Sequence, residues 1–188
     1  MIDRVANAMR PLVDEIVVVS NAPDAPAWIP NACVVRDVLT GGGSAAGIHA
    51  ALVAAQCDVL VVAWDIPFAT EAVLRVLYGK TGRREDGKTG GGERIGAIVP
   101  SHPNGMLEPL CAWYGPACID AIASAWNAGD RSAHGIAKRV RSVIVPSTAF
   151  DAIGGTARVF FNVNTPADLD TARRMAGTSL DDENRRPT

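Results

Sequence analysis

An aspartate two residues before a proline ends the most hydrophobic stretch of the chain. Residues 58–65 read DVLVVAWD, and Pro67 prevents this stretch from continuing as a strand. In open α/β sheets, ligands bind outside the carboxyl ends of the strands. A carboxylate at Asp65 is therefore placed to bind Mg²⁺ through oxygen, while substrate phosphates supply other ligands. From the position alone, an acid that only caps the next turn is an equally good interpretation.

A second candidate site combines an acid with a glycine-rich turn. Asp37 is followed by the run TGGGS at residues 40–44, and an alanine-rich helix is predicted after it. Glycines let the backbone approach a ligand, and a helix start offers unpaired N–H groups that bind phosphate. The run is not a Walker A loop, because no Gly-Lys-Ser/Thr follows it. A plain flexible turn explains the glycines at least as well.

Asparagines follow two of the predicted strands. Asn162 and Asn164 flank a valine at a junction between a strand and a helix, and Asn21 follows the β-branched stretch at residues 15–20. Their amides either contact a ligand or bond only to turn backbone, which is the usual role of asparagine in turns. The spacing of the three histidines and four cysteines matches neither a catalytic triad nor a metal site, and the cysteines are expected to be buried free thiols.

Charge and composition exclude several classes of protein. The net charge is -2, which gives no electrostatic reason to expect nucleic acid as a partner. The longest apolar run, residues 59–64, is too short to cross a bilayer, and no signal peptide is visible. A cytoplasmic protein without a membrane segment is therefore expected.

Predicted strands and helices alternate along most of the chain, and this order must position the candidate residues. Alternation predicts an α/β domain with a mainly parallel sheet and helices on both faces. One domain is expected over residues 1–177, with a flexible polar loop at 79–94 and a polar tail at 178–188. The strands are predicted at residues 15–20, 33–37, 58–65, 95–99, 110–114, 142–145 and 159–161.

Five segments in the same order resemble the molybdenum cofactor guanylyltransferase family. They read RPLVDEIVVVSNAP, RDVLTGGGSAAGIHAAL, DVLVVAWDIPFAT, EPLCAWY and FFNVNTPADL. The resemblance covers residues 2–176 and is far more specific than any one segment. It implies a Rossmann-like three-layer α/β/α nucleotidyltransferase fold.

The resemblance also implies roles for individual residues. Asn21 and Asp37 match positions that contact the guanine nucleotide, and Asp65 matches the catalytic position that binds nucleotide and Mg²⁺. Asn162 and Asn164 match the motif on the pterin side of the cleft. The implied reaction joins GMP from GTP to the phosphate of molybdopterin-bound molybdenum and releases pyrophosphate. Molybdoenzyme maturation proteins are further possible partners.

Two alternatives stay open at this point. One is a cytidylyl-transferring relative or another nucleotidyltransferase of the same fold, because the segment that reads the base lies mostly in a part of the family pattern that this sequence does not show. The other is a non-catalytic protein that holds the cofactor or a maturation partner through Asn162 and Asn164.

The sequence departs from the family pattern most clearly at its beginning. The family starts with a strand and a glycine-rich loop, Leu-Ala-Gly-Gly-x-Ser-x-Arg-Met-Gly-x-Asp-Lys, that binds phosphates, and no stretch here matches it. A start site placed too far downstream is the simplest explanation, and a real truncation is the other. Without the first strand of the family, we expect open ladders at residues 15–20 and 58–65 and weakened triphosphate binding. Smaller departures are Ser44 in the glycine turn, Trp64 beside the aspartate, and Glu108 in place of a histidine.

Overall fold

Short strands alternate with helices along the chain, as its hydrophobic pattern predicts. The computed structural model describes residues 1–81 and 95–177. Within these ranges no helix is long and apolar enough to cross a membrane. The elements are α1 (Ile2–Met9), β1 (Val17–Val19), β2 (Cys33–Val35), α2 (Ser44–Ala55), β3 (Val59–Val62), α3 (Glu71–Tyr78), β4 (Ala97–Pro100), β5 (Cys111–Tyr114), α4 (Ala117–Asn127), β6 (Ser142–Val145), α5 (Thr156–Val159) and α6 (Pro166–Ala176).

The strands form two sheets. β1 and β2 pair in parallel, and the larger sheet has the order β3-β5-β4-β6. In the larger sheet β4 and β6 are parallel, whereas β5 runs antiparallel to both β3 and β4. Three of its four strands therefore run the same way. The expected α/β fold is confirmed, and the single reversed strand follows β4 after a short turn closed by a bridge between Ser101 and Leu107.

Alternate residues of β4 face two separate cores. Ile98 packs in one core with residues of α3, α5 and the loop around Phe150. Ala97 and Val99 pack in the other with residues of α2 and α4. Because successive strand side chains point to opposite faces, the sheet has helices on both sides. This arrangement is the three-layer fold that the sequence predicts.

The strand predicted at residues 159–161 is wrong. Val159 ends the short helix α5, and both it and the next residue, Phe160, are buried. The backbone N–H groups of Val159 and Phe160 donate to the Gly155 and Thr156 carbonyls, each at 3.0 Å, and so form helical bonds rather than a strand ladder. Gly154 and Gly155 have positive φ angles of 112° and 72°, which turn the chain into α5 instead.

The cysteine prediction is half correct. Cys111 and Cys118 are buried free thiols, and burial raises the pKa of Cys118 to about 11. Cys33 and Cys57 are exposed, because Cys33 begins the outer strand β2 and Cys57 lies in the turn after α2. Most of the predicted loop at 79–94, namely residues 82–94, lies outside the described residues. The predicted tail at 178–188 lies outside them entirely.

The edges of β1 and β3 that do not face β2 and β5 pair with no strand among the described residues. β1 pairs only with β2, and β3 pairs only with β5. Helix α2 contacts both β1 and β3 and so spans the two sheets. The open ladders expected at residues 15–20 and 58–65 are therefore present in the described part of the chain.

The open edge of β3 predicts an alternation in amide exchange. The backbone N–H of Ala63 donates to the Leu110 carbonyl at 2.7 Å. Because N–H groups alternate in direction along an antiparallel strand, the N–H of Val61 also points toward β5, whereas those of Leu60 and Val62 point toward the open edge. We expect the amides of Leu60 and Val62 to exchange at least about tenfold faster than those of Val61 and Ala63. Hydrogen exchange followed by NMR measures all four. Equal protection along the strand would show that the edge is covered.

Candidate active site at the carboxyl ends of the strands

Asn21 and Asp37 form a reciprocal pair just beyond the ends of β1 and β2. The Asn21 side-chain amide donates to Asp37 Oδ2 at 2.9 Å, and the Asp37 backbone N–H donates to Asn21 Oδ1 at 3.2 Å. Because β1 and β2 are parallel, their carboxyl ends lie side by side and bring the two residues together. The structure thus joins the two residues that the resemblance assigns to the nucleotide.

A glycine turn lies next to Asp37. Gly41, Gly42 and Gly43 have φ angles of 108°, 66° and 104°, a run of positive values that other residues adopt only with strain. Gly43 is the N-cap of α2. A Cβ on Gly42 would lie 3.7 Å from Asp37 Oδ2. The turn therefore brings an acid and the start of a twelve-residue helix close together, as the sequence predicts.

Arg131 contacts this turn, and the sequence analysis missed it. Its Nη1 lies 2.7 Å from where a Cβ on Gly41 would be, so the guanidinium occupies the space that a side chain there would need. The guanidinium also lies over the Trp126 ring, 4.9 Å from the centroid. Arg131 is far from the turn in sequence, and only the packing of the end of α4 against it places a cation there.

Asp65 is held by an asparagine from the other end of the chain. With the Asn162 amide oriented to donate, its nitrogen lies 3.0 Å from Asp65 Oδ1 and 3.1 Å from Oδ2. The backbone supports this contact, since the N–H of Val163 donates to the Asp65 carbonyl at 2.9 Å. Burial raises the pKa of Asp65, and a backbone hydrogen bond opposes the shift. The result is a half-buried carboxylate fixed at the end of β3.

Asn164 begins the turn that leads into α6. Its backbone N–H donates to Asp168 Oδ2 at 3.2 Å, and its side chain is exposed. Thr165 and Asp168 form a capping box, in which each side chain accepts the other's backbone N–H. The hydrogen bond from the Thr165 hydroxyl is the main cause that lowers the pKa of Asp168. The capping box fixes the direction of the chain after Asn162, as the sequence predicts.

The predicted site residues thus form two pairs rather than one cluster. No hydrogen bond among the described residues joins the Asn21–Asp37 pair to the Asp65–Asn162 pair, and the two pairs follow strands of different sheets. In the described ranges no three His, Cys, Asp or Glu side chains come together as a metal site. Asp65 offers a fixed, half-buried carboxylate just beyond the end of β3. An oxygen-preferring ion such as Mg²⁺ fits there if substrate phosphates and water complete its coordination.

Proteins of related sequence support the family resemblance. Residues 1–143 match the MobA-like NTP transferase domain. The chain is 34% identical over 180 residues to a probable molybdenum cofactor guanylyltransferase from Pelotomaculum thermopropionicum, across 95% of the chain and 82% of that relative. It is 30% identical over 174 residues to a molybdenum cofactor guanylyltransferase from Desulfosudis oleivorans, across 92% of the chain and 80% of the relative.

Solved structures agree with these sequence relatives. Molybdopterin-guanine dinucleotide biosynthesis protein A from Archaeoglobus fulgidus superimposes with a TM-score of 0.73 at 28% identity, over 94% of this chain and 85% of that one. A 2-C-methyl-D-erythritol 4-phosphate cytidylyltransferase from Thermus thermophilus shares the fold with a TM-score of 0.61 at 21% identity, over 93% and 87% of the two chains. The chain therefore belongs to the family of MobA-like NTP transferase domains and is an enzyme of the nucleotidyltransferase class.

Proposed function

We propose that this site transfers GMP from GTP to the phosphate of molybdopterin-bound molybdenum, which forms the guanine dinucleotide cofactor and releases pyrophosphate. The observation that carries the proposal is the half-buried Asp65 carboxylate, held by Asn162 at the end of a buried strand. The sequence relatives and the Archaeoglobus protein, named as guanylyltransferases or as a molybdopterin-guanine dinucleotide biosynthesis protein, support the same reaction. Contacts with maturation proteins stay a prediction.

The protein's share in this reaction is binding and orientation. Asn21 and Asp37 bind the nucleotide, since a paired amide and carboxylate present both donors and acceptors to polar groups of the ligand. Asn162 and Asn164 lie on the acceptor side, where Asn162 also fixes the direction of the Asp65 carboxylate. Asp65 would hold Mg²⁺, and the ion would neutralise charge on the phosphates as the bond to the leaving pyrophosphate breaks.

The product of a reconstituted reaction tests this proposal. The chain is incubated with Mg²⁺, molybdenum-loaded molybdopterin and an equimolar mixture of GTP and CTP, and the products are identified by mass spectrometry. We expect the guanine dinucleotide together with pyrophosphate. A cytosine dinucleotide would show the cytidylyl-transferring alternative. Acceptor binding without any dinucleotide would show the non-catalytic alternative.

Weak triphosphate binding stays a prediction of the sequence. Asn21, Asp37 and Asp65 include two acids and no cation, so the triphosphate charges depend on Mg²⁺ and on neighbouring basic residues. We propose that this chain binds GTP far more tightly with Mg²⁺ than without it. Calorimetry with and without Mg²⁺ compares the two affinities, and equal affinity would show that triphosphate binding does not depend on the ion.

Arg131 is expected to contribute to nucleotide binding, because it is a cation in contact with the glycine turn. Arg131→Met keeps the stacking surface on Trp126 but removes the charge. We expect the KM for GTP to rise roughly tenfold to a hundredfold, the effect of losing one charge-assisted hydrogen bond, with kcat changed much less. Initial rates at varied GTP concentration give both constants.

A matched control for this change is Arg139→Met. Arg139 belongs to the same segment but pairs with Asp130 at 2.6 Å on the surface. An exposed ion pair of this kind contributes little, and we expect a KM close to that of the unmodified chain. If both variants change KM equally, the effect is one of overall charge and Arg131 has no special position.

A further inference from the structure

A histidine and a glutamate with no assigned role lie at the same end of the larger sheet as Asp65. The hydrogen bond from the Ala63 N–H to the Leu110 carbonyl is the last one between β3 and β5. Asp65 follows Ala63 by two residues and Glu108 precedes Leu110 by two, so both lie past this bond at the same end of the antiparallel pair. The backbone N–H of Glu108 donates to the Pro100 carbonyl at 2.9 Å, which fixes Glu108 at the end of β4. Asp65 and Glu108 thus lie at the same end of two neighbouring strands.

Aromatic packing links this glutamate to the Asn162 segment. His102 Nε2 lies 3.5 Å from Glu108 Oε2, at the limit of a hydrogen bond. The His102 ring packs edge-on against Phe160, with ring centroids 5.5 Å apart. Phe160 is two residues before Asn162. Contacts therefore run from Glu108 through His102 to Phe160, which lies two residues before the residue that holds Asp65.

The Glu108 carboxylate has unused acceptor capacity. Its side chain is 14% exposed and that of His102 is 27% exposed, so the pair is mostly buried but still reachable from solvent. Among the described residues, the contact with His102 is the only side-chain hydrogen bond that reaches this carboxylate. A carboxylate accepts two parallel N–H bonds from a planar fork of donors, as it does from arginine.

We propose that Glu108 is a specificity-determining residue that binds the cyclic amide N–H and adjacent exocyclic amino group of a substrate, with His102 as its positioning residue. This donor–donor edge is shared by pterins and guanine. His102 joins Glu108 to Phe160, two residues before Asn162 on the acceptor side, and this favours the pterin. The choice of pterin and guanine as ligands rests on the proposed function, whereas the ability of a carboxylate to accept two parallel N–H bonds does not.

Binding of matched ligand pairs tests this role. The 188-residue chain is titrated with 2-amino-4-oxopteridine and with 2,4-dioxopteridine, which replaces the amino donor with an acceptor oxygen. A second titration uses Mg²⁺-GTP and Mg²⁺-ITP, which differ only in the same amino group. We expect the unmodified chain to prefer the amino pteridine by at least about tenfold, because a rejected analogue leaves a buried carboxylate unpaired.

Glu108→Gln is expected to abolish this preference, since its amide presents a donor to the ligand's donors. His102→Phe keeps the packing on Phe160 and is expected to weaken binding of the amino pteridine severalfold. Glu15→Gln is the matched control, because Glu15 is exposed at the amino end of β1, and it should keep the preference. The ratio of two affinities within one variant does not depend on how much of the sample is folded.

Each outcome decides the inference. If Glu108→Gln loses the preference for the amino pteridine, Glu108 binds a pterin. If it instead loses the preference for GTP over ITP, Glu108 binds guanine. If neither preference exists in the unmodified chain, or both survive in Glu108→Gln, the inference is wrong. A chain that shows the pteridine preference but forms no dinucleotide would contradict the proposed function and leave the role of Glu108 standing.

Discussion

Replacing Asp65 with asparagine is expected to lower GMP transfer at least about a hundredfold while the melting temperature stays the same or rises. The loss follows because the variant removes the one fixed carboxylate of the Asp65–Asn162 pair, which would hold Mg²⁺. Stability is retained because burial raises the pKa of Asp65. An acid with a raised folded-state pKa costs stability when it is ionised, and asparagine removes that cost.

The raised pKa of Asp65 also determines how activity depends on pH. Metal binding needs the ionised carboxylate, and a raised pKa of Asp65 moves ionisation to higher pH. Activity at subsaturating Mg²⁺ should therefore fall on acidification at a higher pH than an ordinary aspartate would cause. Initial rates across pH and thermal melts of both proteins give the two measurements.

Asp170→Asn is the control for this experiment. Asp170 lies on the exposed face of α6 and pairs with Arg173 at 3.2 Å, so its loss should change neither rate nor stability appreciably. A rate for Asp65→Asn within about twofold of the unmodified chain would show that Asp65 does not hold the metal.

Replacing Phe150 with alanine is expected to destabilise the chain by about 3–5 kcal/mol, the cost typical of a large-to-small change in a packed core. Phe150 is fully buried, and its ring packs edge-on against Phe160 with centroids 5.2 Å apart. The loss corresponds to a fall in melting temperature of roughly 6–20 °C for a chain of this size. Urea unfolding and thermal melts measure the change.

Phe150→Leu separates packing from ring-specific contact. Leucine keeps most of the buried volume, so we expect a clearly smaller loss than in Phe150→Ala. Because Phe160 leads into the Asn162 segment, the alanine variant should also lose GMP transfer below its melting temperature. A stability loss below about 1 kcal/mol for Phe150→Ala would show that the core at this position collapses around the cavity.

Strand ends were the most predictable part of the site. A β-branched run followed by a polar residue is a local pattern, and it correctly located Asn21, Asp37 and Asp65 just beyond β1, β2 and β3. The sequence also singled out Asn162 and Asn164, and the family resemblance gave them a role. It assigned Asn162 to the acceptor side, whereas the structure shows that its amide also contacts Asp65.

The residues that the sequence did not reveal depend on tertiary packing. Arg131 reaches the glycine turn only because the end of α4 packs against it, and His102 meets Phe160 only through the ends of distant elements. The strand predicted at 159–161 failed for a related reason. Its apolar residues fit a strand by composition, but two glycines with positive φ angles begin a helical turn before them.

The proposed reaction requires that the Asn21–Asp37 pair and the Asp65–Asn162 pair form one active site, although no described hydrogen bond joins them. NMR of the side-chain amides in asparagine-labelled protein tests it most directly, during titration with Mg²⁺-GTP. We expect the amide signals of Asn21 and Asn162 to shift with a common Kd, while that of Asn7 in α1 stays in place. If neither signal moves at concentrations where GTP binds, or if only Asn7 moves, the nucleotide binds elsewhere and the claim is wrong.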